Sequence, residues 1–491
     1  MDVNEEIWVS VCGAETRVVV VEQGDIREIQ VQRGPQDTLV GNIYSAKVAR
    51  VMPDLQAAFV DFGTERHGFL ALADLASCQP KLKKDSLEKT ATITDFLYQG
   101  QKLQVQVIKD AVASKGARLT TQISISSHYL ALSAGSSGVG VSRNITEAAE
   151  RSRLRQLVLD AGKLETQANG MEGFILRTAA QGASAEAIAT DFRFLVGLWS
   201  AVSERSKLAL GVTALYSELP LSLRVLRDLA CSSTETIRVD CHDTFLTLES
   251  FCQNYMPELV GKLQYHDDGF PELHELAVEA EIDRALNSRV DLAGGGYLVI
   301  EQTEAMTVVD VNSGSSVGTN RDKAATFRIN KEAAKTLARQ LRLRNIGGII
   351  VVDFIDMVAS KQRRDLVSFL RQCTAADSAV GKISETSHLG LVEMTRKRSR
   401  QSLAQVLSQS CSQCWGRGQL KSPETICFDI LRKLGRINGD NITVMASPEV
   451  VDHMVKEQSA QLDKLRARGR AKISFRTVTT GDPELFEVAL F

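Results

Sequence analysis

Two short stretches, Val308-Val309-Asp310-Val311-Asn312 and Ile349-Ile350-Val351-Val352-Asp353, carry the reading of this chain. Each is an apolar run of the kind that forms a buried strand, and each brings an aspartate to the strand's end. Residues 321–345 between them have helical spacing, and Gly347-Gly348 reads as the stop. The aspartates lie 43 residues apart, the length of a strand–helix–strand unit, which places the two strands near each other in one sheet. Open α/β sheets bind ligands at the carboxyl ends of their strands. Two carboxylates there, with the Asn312 carbonyl, suit Mg²⁺, which takes one or two carboxylates plus waters and phosphate oxygens. Such an ion activates water against a phosphodiester. The plainer alternative, that Asp310 and Asp353 only turn their strands, stays open on the residues alone.

Working outward, Tyr297–Glu301 is a further strand and 356–372 a further helix. Toward the start, residues 7–31 read as a hairpin around Gln23-Gly24-Asp25. From 40 to 125 come five short strand candidates: 43–51, 57–62, 68–72, 102–109 and 118–125. They suit a small closed barrel of the OB type, with a polar, helix-like insertion over 73–97. Helices are expected at 145–161 and 185–205. A last small module is expected to run helix 423–434, strand 442–446, helix 448–468, strand 471–478.

With 491 residues, a net charge of −2 and 44% hydrophobic residues, the chain reads as several globular domains. No basic segment followed by an apolar run opens it, so no signal peptide is read and a cytoplasmic location is expected. The cysteines are scattered singly except Cys411 and Cys414, a Cys-x-x-Cys before a glycine-rich turn. That is half of a thiolate zinc site; structural zinc wants four ligands, so a bound zinc would be shared with another copy. A redox dithiol is the rival. On the barrel, Phe59 and Phe69 lie on adjacent strand candidates. They read either as core or, with Lys115, as a platform stacking single-stranded bases against a phosphate contact. Basic clusters at Arg339/Arg342/Arg344, Lys361/Arg363/Arg364, Arg396/Lys397/Arg398/Arg400 and Lys464/Arg466/Arg468/Arg470 are solvated faces or polyanion contacts.

These residues bear a resemblance. Asp310-Val311-Asn312-Ser313, Ala338 through Arg344, Gly347 through Met357, Gly390 through Arg396 and the cysteine pair resemble the ribonuclease E/G family, over essentially the full length. The resemblance implies an α/β multidomain fold: a small OB-type (S1-type) RNA-binding barrel (38–125) inserted in a ribonuclease-H-like region (1–37 and 222–285), a 5′-end sensor region (126–221), a DNase-I-like α/β catalytic domain (286–406), a zinc link (407–420) and a small C-terminal α/β domain (421–491). It implies an endoribonuclease in which Asp310 and Asp353, supported by Asn312, bind one catalytic Mg²⁺. The products would carry 5′-phosphate and 3′-hydroxyl ends. Phe59, Phe69 and Lys115 would grip single-stranded, A/U-rich RNA. Arg143, Arg177 and Thr178 would sense a 5′-monophosphate, and Cys411 and Cys414 would share a structural Zn²⁺ across a homodimer, with pairing of dimers left open. Expected roles are ribosomal RNA maturation and message decay. Two departures stand out: Ser412 replaces a proline common in the knuckle, and His388 stands where ribonuclease E-like members have an arginine, so it is not counted as a site residue.

Overall fold

A computed structural model describes residues 4–34, 38–75, 92–111, 116–164, 173–230, 234–267, 270, 272–314, 323–398, 400–437, 441–469, 472–478 and 482–490. The chain forms two compact units, Met1–Val406 and Leu407–Phe491.

The expected hairpin is a three-stranded meander, Glu5–Cys12, Glu15–Glu22 and Asp25–Arg33. Glu5–Cys12 also pairs in parallel with Thr234–Val239, and Leu263–Tyr265 adds beyond it. One sheet is thus built from segments more than 200 residues apart, and everything from 38 to 220 is inserted between them. Its core is Ile7, Val9, Val18, Ile237 and Val239 under the helices Leu221–Asp228 and His242–Tyr255.

The first insert is a barrel. Ile43–Met52, Ala57–Asp61, Gly68–Ala71, Arg118–Thr120 and Lys102–Lys109 pair in that order, and Lys102–Lys109 closes onto Ile43–Met52. The closed five-stranded barrel is consistent with an OB-like domain. Arg118–Thr120 is shorter than the strand over 118–125 that the sequence suggested. The Thr120 hydroxyl donates to the Asp74 carbonyl at 2.8 Å and accepts from the Gln122 amide, turning the chain out of the barrel. Ser124–Ser126 then joins a second sheet with Leu130–Ser133, Gly173–Leu176 and Gly138–Val141. Helices Ala148–Leu164 and Ala185–Leu208 cover that sheet, as their spacing predicted.

The six-stranded sheet runs in the order Arg289–Asp291, Tyr297–Gln302, Met306–Asn312, Gly348–Asp353, Val392–Arg396, Val380–Ile383. Every neighbouring pair is antiparallel except Met306–Asn312 with Gly348–Asp353, the pair joined through the long helix Lys323–Leu343. Alternation decides the layers. Val309, Val311, Ile350, Val352, Val392 and Met394 pack under that helix and Ser360–Cys373, while Asp310 and Asp353 fall on the opposite, exposed face. The helix stops through Asn345 rather than the glycine pair. Asn345 adopts φ +49° and its amide donates to the Arg400 and Gln401 carbonyls.

In the second unit, Asn441–Ala446 is flanked by Lys472–Thr477 in parallel and Glu487–Leu490 antiparallel, a last strand that the sequence did not suggest. The expected helix over 448–468 is two helices, Pro448–Glu457 and Ser459–Gly469, broken at Gln458.

Candidate active site

Asp310 and Asp353 are direct register partners at the ends of the two parallel strands. Both are exposed. Burial and then the neighbouring charges of Asp310 and Asp356 push the Asp353 carboxyl above its ordinary value. Asp356, in the turn after the strand, is a third carboxylate at this end that the strand pattern gave no reason to single out. Asn312 acts through its side chain: its amide donates to Asp310 Oδ2 at 2.8 Å, which orients that carboxylate. Gly296 backs this strand end. Its φ is +90°, and a Cβ there would lie 2.4 Å from the Asn312 carbonyl.

Among the described residues no three His, Cys, Asp or Glu side chains converge into a closed metal cage. The Asp310–Asp353 pair has instead the donor set of an open hard-cation site, with juxtaposed like charges that a divalent ion would relieve. Exposed Lys361 and Arg364 begin the next helix, and His388 is exposed.

The arginine clusters on either side of the second strand are structural. Arg342 pairs with Glu22 at 2.8 Å and Arg339 with Glu281 at 2.7 Å. Arg344 is buried and donates to Gln340 and the Asn287 carbonyl. Buried Arg396 binds Asp377, Asn345 and the Ile346 carbonyl. Arg398 donates to the Gly347 carbonyl, and Arg400 pairs with Glu28. Most of this charge is spent inside the unit, which is why its density in sequence misleads.

On the barrel, Phe59 and Phe69 are half-buried on the face opposite the core residues Ala58, Val60 and Leu70. Their rings meet edge to face, with centroids 6.1 Å apart. The register continues on both sides: Arg50 pairs with Phe59, Phe59 with Phe69, and Phe69 with Arg118. This row of two aromatic side chains between two basic ones crosses four strands, so local sequence does not display it. Arg118 is held by Asp74 at 2.9 Å. Lys115 lies outside the described residues.

Arg143, Arg177 and Thr178 come from distant segments but follow two paired parallel strands. Val141 is in register with Leu176, so Ser142-Arg143 and Arg177-Thr178 leave the sheet side by side. The Ser142 and Thr178 hydroxyls are 2.9 Å apart. Arg143 is exposed. Arg177 is anchored on three acceptors: the Ser127 carbonyl at 2.5 Å, the His128 carbonyl and Asp228 at 2.9 Å. Asp228 is also gripped by Arg227, which reaches on to Glu218. Sequence reading missed Ser142 and Asp228, which act through contacts 36 and 51 residues away.

In the second unit, backbone N–H groups of Cys414 and Gln413, then the Cys414 side chain, hold the Cys411 thiol below its ordinary value. Amides aimed at sulfur favour the thiolate, the form that binds zinc. Trp415, Gly416 and Gly418 take positive φ, giving a tight turn after the cysteine pair. Arg417 ties it to Glu484 at 2.9 Å.

Comparison with known proteins agrees with the motif reading. Residues 124–399 match the Ribonuclease E/G family model. Ribonuclease G of Salmonella typhimurium (strain SL1344) is 40% identical over 491 residues, 99% of each chain. The chain belongs to the ribonuclease E/G family. It is accordingly an endoribonuclease of that family. Ribonuclease G of Haemophilus influenzae is 40% identical over 460 residues, 92% of each chain. Ribonuclease E of Nostoc sp. (strain PCC 7120) is 36% identical over 403 residues, 81% of this chain and 57% of that protein. No helix among the described residues is long and apolar enough to cross a membrane.

Proposed function

We propose that this endoribonuclease is Mg²⁺-dependent, cuts single-stranded A/U-rich RNA with a preference for 5′-monophosphorylated molecules, and leaves 5′-phosphate and 3′-hydroxyl ends. The observation that carries the reading is the register pairing of Asp310 with Asp353 at the ends of adjacent parallel strands. Asp310 and Asp353 would hold the ion, with Asn312 fixing the angle of Asp310. Bound there, Mg²⁺ supplies an activated water and stabilises charge on the phosphodiester. Phe59 and Phe69 offer stacking faces to unpaired bases, and Arg50 and Arg118 flank them for the backbone. Lys115 joins this surface by resemblance.

Arg143, Arg177 and Thr178 would receive the 5′-monophosphate, since a guanidinium fork beside hydroxyls suits a phosphate dianion. Ribosomal RNA maturation and message decay in the cytoplasm are the roles that fit the family. The meander with 234–265 is read as the ribonuclease-H-like part, split by the barrel and sensor inserts, and the six-stranded sheet as the DNase-I-like part.

The test is a single-stranded oligoribonucleotide offered with a 5′-monophosphate, 5′-triphosphate or 5′-hydroxyl. Wild type should cut the first fastest, only with a divalent ion, and stop with EDTA. Arg177→Ala should slow the monophosphorylated substrate about tenfold or more, to the level of the other two. Equal cutting of all three ends by wild type would dismiss the sensor.

Cys411 and Cys414 would share one zinc with the same pair of a second copy. Native mass and metal analysis should give a dimer with about half a zinc per chain, lost with both Cys→Ser changes. One zinc per monomer would refute sharing.

A further inference from the structure

A cavity of about 340 Å³ opens between the edge strand Asp25–Arg33, the first turn of Leu221–Asp228 and residues 400–406. It is lined by Arg33, Arg224 and Arg400 together with amide side chains such as Gln32, Asn345 and Gln405; among the described residues no carboxylate lines it. None of Asp310, Asp353, Arg177 or Thr178 lines it either, so it is separate from both sites above.

Arg224 is the unexplained residue. It is half-buried, yet among the described residues its guanidinium has no hydrogen bond and no ion pair. Its neighbour one turn on, Arg227, is bound to both Glu218 and Asp228. Arg33 is engaged with Glu15 and the Val406 carbonyl, and Arg400 with Glu28. Arg224 also sits in the first turn of its helix, where the backbone dipole disfavours a cation. Burial holds its pKa below the ordinary arginine value; the nearby charge of Glu218 opposes this shift, and those of Arg400 and Arg227 add to it. A half-buried, unpaired cation beside two others is costly unless an anion completes it.

We infer that this cavity is a phosphate-binding site in which Arg224 supplies the free guanidinium fork and Arg33 and Arg400 the flanking charge. Three arginines match the charge and the oxygen-rich surface of a phosphate group. The volume is at the low end for small-ligand pockets, enough for one phosphate with the sugar that carries it. The phosphate comes either from the RNA backbone, making the cavity a remote substrate contact, or from free phosphate and mononucleotides, making it an effector site. The inference does not depend on the proposed catalytic chemistry.

The test uses the full chain in EDTA, so that no RNA is cut. Thermal melting is followed with inorganic phosphate against chloride at matched ionic strength, and binding of a 5′-hydroxyl oligoribonucleotide is measured in parallel. Without phosphate, Arg224→Gln should melt at or above wild type, because no partner is lost. Phosphate should raise the melting temperature of wild type and of Arg177→Ala; on the Arg177→Ala background, which removes the 5′-phosphate site, the response should be lost with Arg224→Gln and partly kept with Arg224→Lys. Weakening of RNA binding by about tenfold in Arg224→Gln assigns the site to backbone phosphate. Loss of the phosphate response with unchanged RNA binding assigns it to free phosphate. If Arg224→Gln leaves both measurements unchanged on that background, or has lost a native contact and melts lower without phosphate, the site does not exist.

Discussion

Asp353→Asn is expected to lower the rate of RNA cleavage by about a thousandfold or more, without unfolding the protein. A carboxylate that holds a catalytic ion contributes several kcal/mol to the transition state, and each ~1.4 kcal/mol is tenfold in rate. The fold should tolerate the change because Asp353 is exposed and its carboxyl makes no ion pair among the described residues. Its electrostatic neighbours are Asp310 and Asp356, so the amide relieves repulsion. The raised carboxyl fixes the sign: ionising Asp353 costs stability as pH rises through its elevated pKa, and that cost is absent in the variant. Without metal, Asp353→Asn should therefore melt at or slightly above wild type at neutral pH. Cleavage within tenfold of wild type would remove Asp353 from the chemistry; a collapse of the melting transition would make it structural.

Arg396→Met is expected to do the reverse, destabilising the Met1–Val406 unit by about 3–5 kcal/mol. Arg396 is 6% exposed. It binds Asp377 at 2.7 Å, the Asn345 side chain at 3.1 Å and the Ile346 carbonyl at 3.0 Å. Removing it strands the Asp377 carboxylate, itself only 10% exposed, and frees the turn that ends the long helix. Lys397, next in sequence and exposed, should change stability by about 0.5 kcal/mol or less when made alanine. Urea denaturation of the three proteins separates these outcomes. Equal midpoints would mean that the Arg396 network contributes nothing net.

That contrast also explains what the sequence could and could not say. The two aspartate strands were legible because period-2 apolar runs, a helix of the right length and a stop signal all agree locally, and parallel pairing of Asp310 with Asp353 follows. The barrel strands were legible for the same reason, except where a threonine side chain ended one early. The function of the arginines was not legible. Arg396 and Arg344 look like solvated charge in sequence, because their partners Asp377, Asn287 and Asn345 are brought to them only by the fold. Arg177-Thr178 was visible only through family resemblance, since what brings it beside Ser142-Arg143 and anchors it is the register of Val141 with Leu176 and the reach of Asp228. Phe59 and Phe69 were undecided between core and surface; alternation against Ala58, Val60 and Leu70 places them outside.

The central claim, that the Asp310–Asp353 pair is a divalent-cation site, is tested most directly by binding rather than by activity. Mn²⁺ added to the RNA-free protein can be counted by electron paramagnetic resonance, with Mg²⁺ as competitor. One Mg²⁺-displaceable Mn²⁺ per chain is expected in wild type and none in the Asp310→Asn/Asp353→Asn double variant, both proteins remaining folded. A displaceable Mn²⁺ retained in the folded double variant would contradict that claim.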